Sequence, residues 1–109
     1  MKNSKAAKIL RDFANQDMKS LDNRVREYTG DINNTEKRIK ALNRAADFLD
    51  GKEDFSNKKL DEMFDILNDI QDDIAQFSDE LNINSDIKVA LFLTADEIEN
   101  VLNGRGFEL

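Results

Sequence analysis

The chain has 109 residues, of which 39% are apolar, and a formal net charge of -7 at pH 7. It has no cysteine and no histidine, which excludes disulfides, thiolate catalysis and the commonest general base and metal ligand of proteins. It also has no proline, which permits long helices, and its length supports one modest core, so we predict a single domain over 1–109.

Apolar residues in the first half of the chain recur at alternating spacings of three and four. This period is typical of helices that pack lengthwise against other helices. Gly30, Asp31 and Asn33 are poor helix formers, so a hairpin broken near Gly30 is one interpretation. The apolar period keeps its phase through them, and this favours one continuous helix over about 4–49. The run consists of Ala14, Met18, Leu21, Val25, Tyr28, Ile32, Thr35, Ile39, Leu42, Ala46 and Leu49.

Charges beside this apolar run favour antiparallel pairing of two copies, if the helix is continuous. An antiparallel overlap brings Arg24 of one copy to Asp31 of the other, and Asp17 to Arg38. The sequence therefore predicts a homodimer. If the chain turns at Gly30, the same apolar residues close an intramolecular hairpin and this argument no longer applies. The candidate self-association residues are Met18, Leu21, Arg24, Val25, Tyr28, Asp31, Ile32 and Arg38.

A second helix is predicted over 57–82, after a linker at 50–57. Gly51 suits the C-terminal cap of the preceding helix, and Ser56 suits the N-terminal cap of the next one. Further apolar residues beside the main run widen the apolar face, so this helix needs neighbours on more than one side. Its main run consists of Leu60, Met63, Leu67, Ile70, Ile74, Phe77 and Leu81.

Charge is distributed unevenly along the chain. Residues 1–49 hold eleven basic and seven acidic side chains, a net charge of +4, whereas 50–82 hold three basic and eleven acidic, a net charge of -8. One interpretation is that the two helices lie side by side with complementary charge. The other is that the outer face of the second helix imitates phosphates or meets a basic partner. The acidic candidates are Asp61, Asp65, Asp69, Asp72, Asp73, Asp79 and Glu80.

The last segment, 83–109, gives conflicting signals. Apolar residues alternate over 87–93, which is a strand period, yet Ser85 suits the cap of a short helix over the same residues. Thr94 and Glu97 form a capping box, which predicts the start of another short helix. The predicted fold is therefore all-α, with long heptad-patterned helices in an elongated bundle or coiled coil and a small C-terminal helical cap, in which residues 87–93 form either a helix or a strand.

Catalysis is not expected from this sequence. Acidic pairs such as Asp72 with Asp73 lie in stretches that are expected to be solvated, which does not suit acid–base catalysis, and the four glycines do not form a phosphate-binding loop. No cofactor and no metal ion are expected. No stretch is apolar enough to cross a membrane, so a cytoplasmic protein is predicted.

The leading functional hypothesis is a small helical protein-binding module, an adaptor, inhibitor or chaperone that acts through helix faces. Phe92 and Phe107 are its apolar contact candidates. The alternative is an acidic decoy or DNA mimic that blocks a nucleic-acid-binding protein. Direct nucleic-acid binding ranks third, because the basic residues are interleaved with acids and lack stacking aromatics.

Overall fold

The computed structural model describes residues 1–52 and 54–104, and over these residues the fold is all-α, as predicted. Its extents are 39 × 26 × 19 Å. A continuous helix over 4–49 would alone be about 69 Å long, so the molecule is not an elongated rod. The helices are α1 (Asn3–Gln16), α2 (Met18–Thr29), α3 (Thr35–Leu49), α4 (Asn57–Leu81) and α5 (Ser85–Leu102).

The chain turns back at Gly30, so the prediction of one helix over 4–49 is wrong and the hairpin alternative is correct. Gly30 has a φ of 77°, a left-handed conformation that costs glycine little, and its N–H donates to the Arg26 carbonyl at 2.8 Å. The side chain of Asn34 then accepts a hydrogen bond from the Lys37 N–H at 3.1 Å and caps α3.

A further break, not predicted from the sequence, separates α1 from α2 at Asp17. The Asp17 N–H still donates to the Phe13 carbonyl, at 2.9 Å, so the two helices follow closely on each other. α1 packs against α3 and α5. Arg11 strengthens the first of these contacts, because its guanidinium lies 2.8 Å from Asp47 and 2.8 Å from Asp50 at the end of α3.

Helix α4 matches the predicted second helix to within one residue. It begins after Ser56, whose hydroxyl accepts from the Lys59 N–H at 3.3 Å, and it ends before Asn82, the C-terminal cap, which has a φ of 53°. Its predicted apolar run is buried except for Leu81, which is partly exposed. α4 contacts α2, α3 and α5, which agrees with the expectation that it needs neighbours on several sides.

Up to Asn103, the C-terminal segment forms one helix, α5, rather than a strand or two short helices. The Asn84 side chain caps it by accepting from the Asp86 N–H at 2.9 Å. Thr94 lies in mid-helix, where its hydroxyl donates to the Ala90 carbonyl at 2.6 Å instead of capping a new helix. The described part of the chain contains no strand. Phe107 lies outside the described residues.

The core draws on all five helices. Leu10 and Phe13 come from α1, and Leu91 and Ile98 come from α5, so the first and the last of the described helices contribute to the same core. The largest fully buried side chains are Phe13, Phe77, Leu10, Met18, Leu21, Leu42, Leu60, Leu67, Ile70, Ile74, Leu91 and Ile98.

Candidate protein-binding surface

The residues predicted to pair two copies are divided between the core and the surface. Met18, Leu21 and Val25 are buried within the chain, at 0%, 0% and 5% exposure. Tyr28 and Ile32 are exposed, at 64% and 77%, beside the turn at Gly30. The apolar run therefore closes an intramolecular hairpin, and the argument for the predicted antiparallel dimer no longer applies.

Arg38, another self-association candidate, is buried between two carboxylates of its own chain. It makes ion pairs with Asp22 of α2 and, at 2.6 Å, with Asp73 of α4. The Thr35 hydroxyl also donates to Asp22, at 2.8 Å. This network joins α2, α3 and α4, so Asp73, predicted as a partner-binding residue, has an internal structural role.

Arg24 meets Glu80 of its own chain rather than Asp31 of a second copy. Its Nε lies 2.6 Å from the Glu80 carboxylate, and its guanidinium lies 5.5 Å from the centroid of the Phe77 ring. The hydrogen bond from Arg24 lowers the pKa of Glu80 below its ordinary value. Asp31 is exposed in the α2–α3 turn. Glu80 is thus a second predicted partner-binding residue with an intramolecular partner.

The other five acidic candidates form an exposed row on α4. They lie opposite the buried face of the helix and extend over about 27 Å at 1.5 Å per residue. None of them forms an ion pair with any residue of 1–52 or 54–104. The acidic row consists of Asp61, Asp65, Asp69, Asp72 and Asp79.

Basic side chains lie beside this row, in a cleft of about 70 Å³ between α3 and α4. Lys37, Lys40 and Arg44 come from α3 and Lys59 comes from α4, while Glu62 lines the same cleft. Together with the Arg38 ion pair, this arrangement favours the first interpretation of the charge asymmetry, in which basic α3 lies beside acidic α4.

A second pair of exposed apolar side chains, besides Tyr28 and Ile32, lies on α5. Phe92 is 68% exposed and Val89 is 48% exposed, three residues apart on the solvent side of the helix. Leaving a phenylalanine in water forgoes about 1.5 to 3 kcal/mol of burial energy. Phe92 was predicted as a contact residue. Val89 was missed because its alternation with Ile87 and Leu91 suggested a strand.

Phe92 borders a groove between α4 and α5. One cavity of about 190 Å³ is lined by Phe64, Asn68 and Gln71 of α4 and by Phe92, Ala95, Asp96 and Glu99 of α5. A second cavity of about 190 Å³ is lined by Gln71, Ile74 and Ala75 of α4 and by Lys88 and Leu91 of α5. Gln71 lines both, so the two cavities adjoin, and we call them together the α4–α5 groove.

Comparison with known proteins gives no relative. No protein-family model, no curated protein and no solved structure matches the chain. Among the helices described, none is both long enough and apolar enough to cross a membrane.

Proposed function

We propose that the protein is a non-enzymatic cytoplasmic binding module, an adaptor or inhibitor that holds a partner protein at the α4–α5 groove. The observation that carries the proposal is the 68% exposure of Phe92 at the edge of that groove. Large exposed aromatic side chains beside pockets supply much of the binding energy in protein interfaces.

The groove combines an apolar floor with a polar rim, as protein interfaces do. Ala95 and the half-buried Phe64 belong to its apolar part, whereas Asp96 and Glu99 are exposed at its edge. A partner that covers Phe92 gains its burial energy without any change in the helical core, because Phe92 lies off the buried face of α5.

Affinity capture with a matched pair of variants tests the proposal. Phe92→Ser removes the exposed aromatic ring at the groove, and Ile32→Ser removes a comparably exposed apolar residue at the α2–α3 turn, which lines neither cavity of the groove. We expect the wild type and Ile32→Ser to capture the same protein from a cell lysate, and Phe92→Ser to lose it, as measured by quantitative mass spectrometry. Equal capture by folded Phe92→Ser would refute the proposal.

A decoy that imitates nucleic-acid phosphates is the second candidate, favoured by the exposed acidic row of α4. The suitable variant changes Asp61, Asp65, Asp69 and Asp72 to asparagine and spares Asp73, which pairs with Arg38. The decoy would be favoured if the asparagine variant failed to capture the partner, if high salt weakened capture by the wild type, and if Phe92→Ser still captured the partner. Capture by the asparagine variant at low and high salt alike would exclude it.

A further inference from the structure

The shape of the α4–α5 groove selects a helix as its occupant. Its lining on α5 extends from Lys88 to Glu99, which is about 16 Å or three helical turns. Both walls are helices whose backbone groups are already paired, so the groove offers no edge to an extended peptide. A helix pairs its own backbone N–H and C=O groups and needs only side-chain contacts.

The charged side chains at the rim of the groove favour a helix that carries basic residues. Asp96 and Glu99 line one end of the groove, and the exposed Asp72 follows directly after the lining residue Gln71. Lys88 lines the opposite end. No basic side chain lines the cavity that Phe92 borders. A ligand with basic residues beside its apolar face therefore complements this rim, and an acidic ligand is repelled by it.

We infer that the α4–α5 groove binds one amphipathic helix of a partner protein, of about three turns, with its apolar face on Phe92 and its basic residues toward Asp96 and Glu99. This inference rests on the proposed function and adds the chemical class of the partner. It does not require the acidic row to imitate phosphates, because the binding energy comes from apolar contact and the charges only favour one kind of helix over another.

Two designed peptides test the inference on the full chain. The basic probe is a fluorescein-labelled helix of about four turns with leucines at the i, i+3, i+4 and i+7 spacing and lysines beside them, and the acidic probe has glutamate for every lysine. Fluorescence anisotropy at low salt measures both. We expect the basic probe to bind and the acidic probe not to bind.

Matched variants then locate the binding site. Phe92→Ser is expected to lower the affinity for the basic probe about tenfold or more, as removal of a central aromatic contact does. The double variant Asp96→Asn with Glu99→Gln is expected to lower that affinity several-fold at low salt and to bind the probe as the wild type does at high salt. The control, Asp61→Asn with Asp79→Asn, removes the same charge from two residues of α4 that line neither cavity and is expected to have no comparable effect.

Each contrary result overturns a definite part of the inference. Unchanged probe binding by Phe92→Ser would refute the groove as the site. Equal binding of the two probes, or equal weakening by the control pair, would refute the preference for a basic helix. Absence of probe binding by the wild type would refute the inference as a whole. The proposed function fails separately, if Phe92→Ser still captures the natural partner.

Discussion

At the scale of single residues, the buried guanidinium of Arg38 is the most consequential. Its side chain is 7% exposed and lies between carboxylates from two other helices. Removing a charge from water is costly, so the arrangement is stable only while Asp22 and Asp73 remain to compensate it. The same position on an isolated helix would belong to the solvated surface.

Replacement of Arg38 by methionine is expected to destabilise the fold by about 3 kcal/mol, because it leaves the buried Asp22 without its partner. Adding Asp22→Leu is expected to recover part of this loss, since it removes the buried carboxylate that Arg38→Met leaves without an ion-pair partner. Urea unfolding measures the free energy of each variant. Lys40→Met, on the exposed side of α3, is the control and should change stability by about 0.5 kcal/mol or less.

The Glu80 carboxyl links stability to pH. Its pKa is lowered by the hydrogen bond from Arg24, so the pair stabilises the fold above the unfolded-state pKa of Glu80. The contribution is lost as pH falls through the lower pKa of the folded state. We expect Glu80→Gln to lower the melting temperature at neutral pH. In acid, the melting temperatures of Glu80→Gln and the wild type should become equal. A constant difference at every pH would contradict the role of this ionisation.

At the scale of elements, α4 has two opposed faces. Leu67, Ile70 and Ile74 are buried at 0%, 0% and 1% exposure, and the acidic row lies on the other side. The 3.6-residue period of the helix places both sets, since the apolar and acidic residues recur at the same spacing but out of phase. This is why residues 57–82 were predicted well from the sequence.

Aspartate on the buried face of α4 is expected to unfold the domain. Ile74→Asp or Leu67→Asp places an unpaired carboxylate in the core, at a cost of about 4 kcal/mol or more. Asp69→Asn, on the exposed face, should change stability by about 0.5 kcal/mol or less. Thermal melts followed by circular dichroism compare the three. A cooperative melt of Ile74→Asp at the wild-type temperature would show that this face does not form the core.

At the scale of the whole molecule, a charge swap distinguishes an intramolecular from an intermolecular partner of Arg24. We expect Arg24→Asp to lower the melting temperature, because it repels Glu80 across the α2–α4 contact. Adding Glu80→Arg should restore part of the loss, and adding Asp31→Arg should restore none. Sedimentation should show a monomer in every case. A wild-type dimer that Arg24→Asp dissociates and Asp31→Arg restores would instead support antiparallel pairing of two copies.

The candidate site was predictable only in part. Phe92 was named from its apolar character near the C-terminus, but the groove beside it depends on Phe64 and Gln71, far away in the sequence. Likewise, the helical period places Asp73 nearer the buried face of α4 than the exposed Asp72, but it does not show that Arg38 of α3 pairs with Asp73. Whether a carboxylate on a helix is buried against a base depends on the helix that packs beside it, and sequence spacing carries no information about that neighbour.

The sequence by itself determined the all-α class, the bounds of α4 and the burial of Met18, Leu21 and Val25, because helical periodicity fixes which face of a helix is apolar. Only the tertiary structure decided what covers that face. An apolar run that keeps the helical period can be buried equally well against a second copy of the chain or against the same chain folded back at Gly30. The chain folds back on itself because α1 can pack against both α3 and α5 to form one core. These contacts join residues that are distant in sequence, so the periodicity of one helix does not predict them.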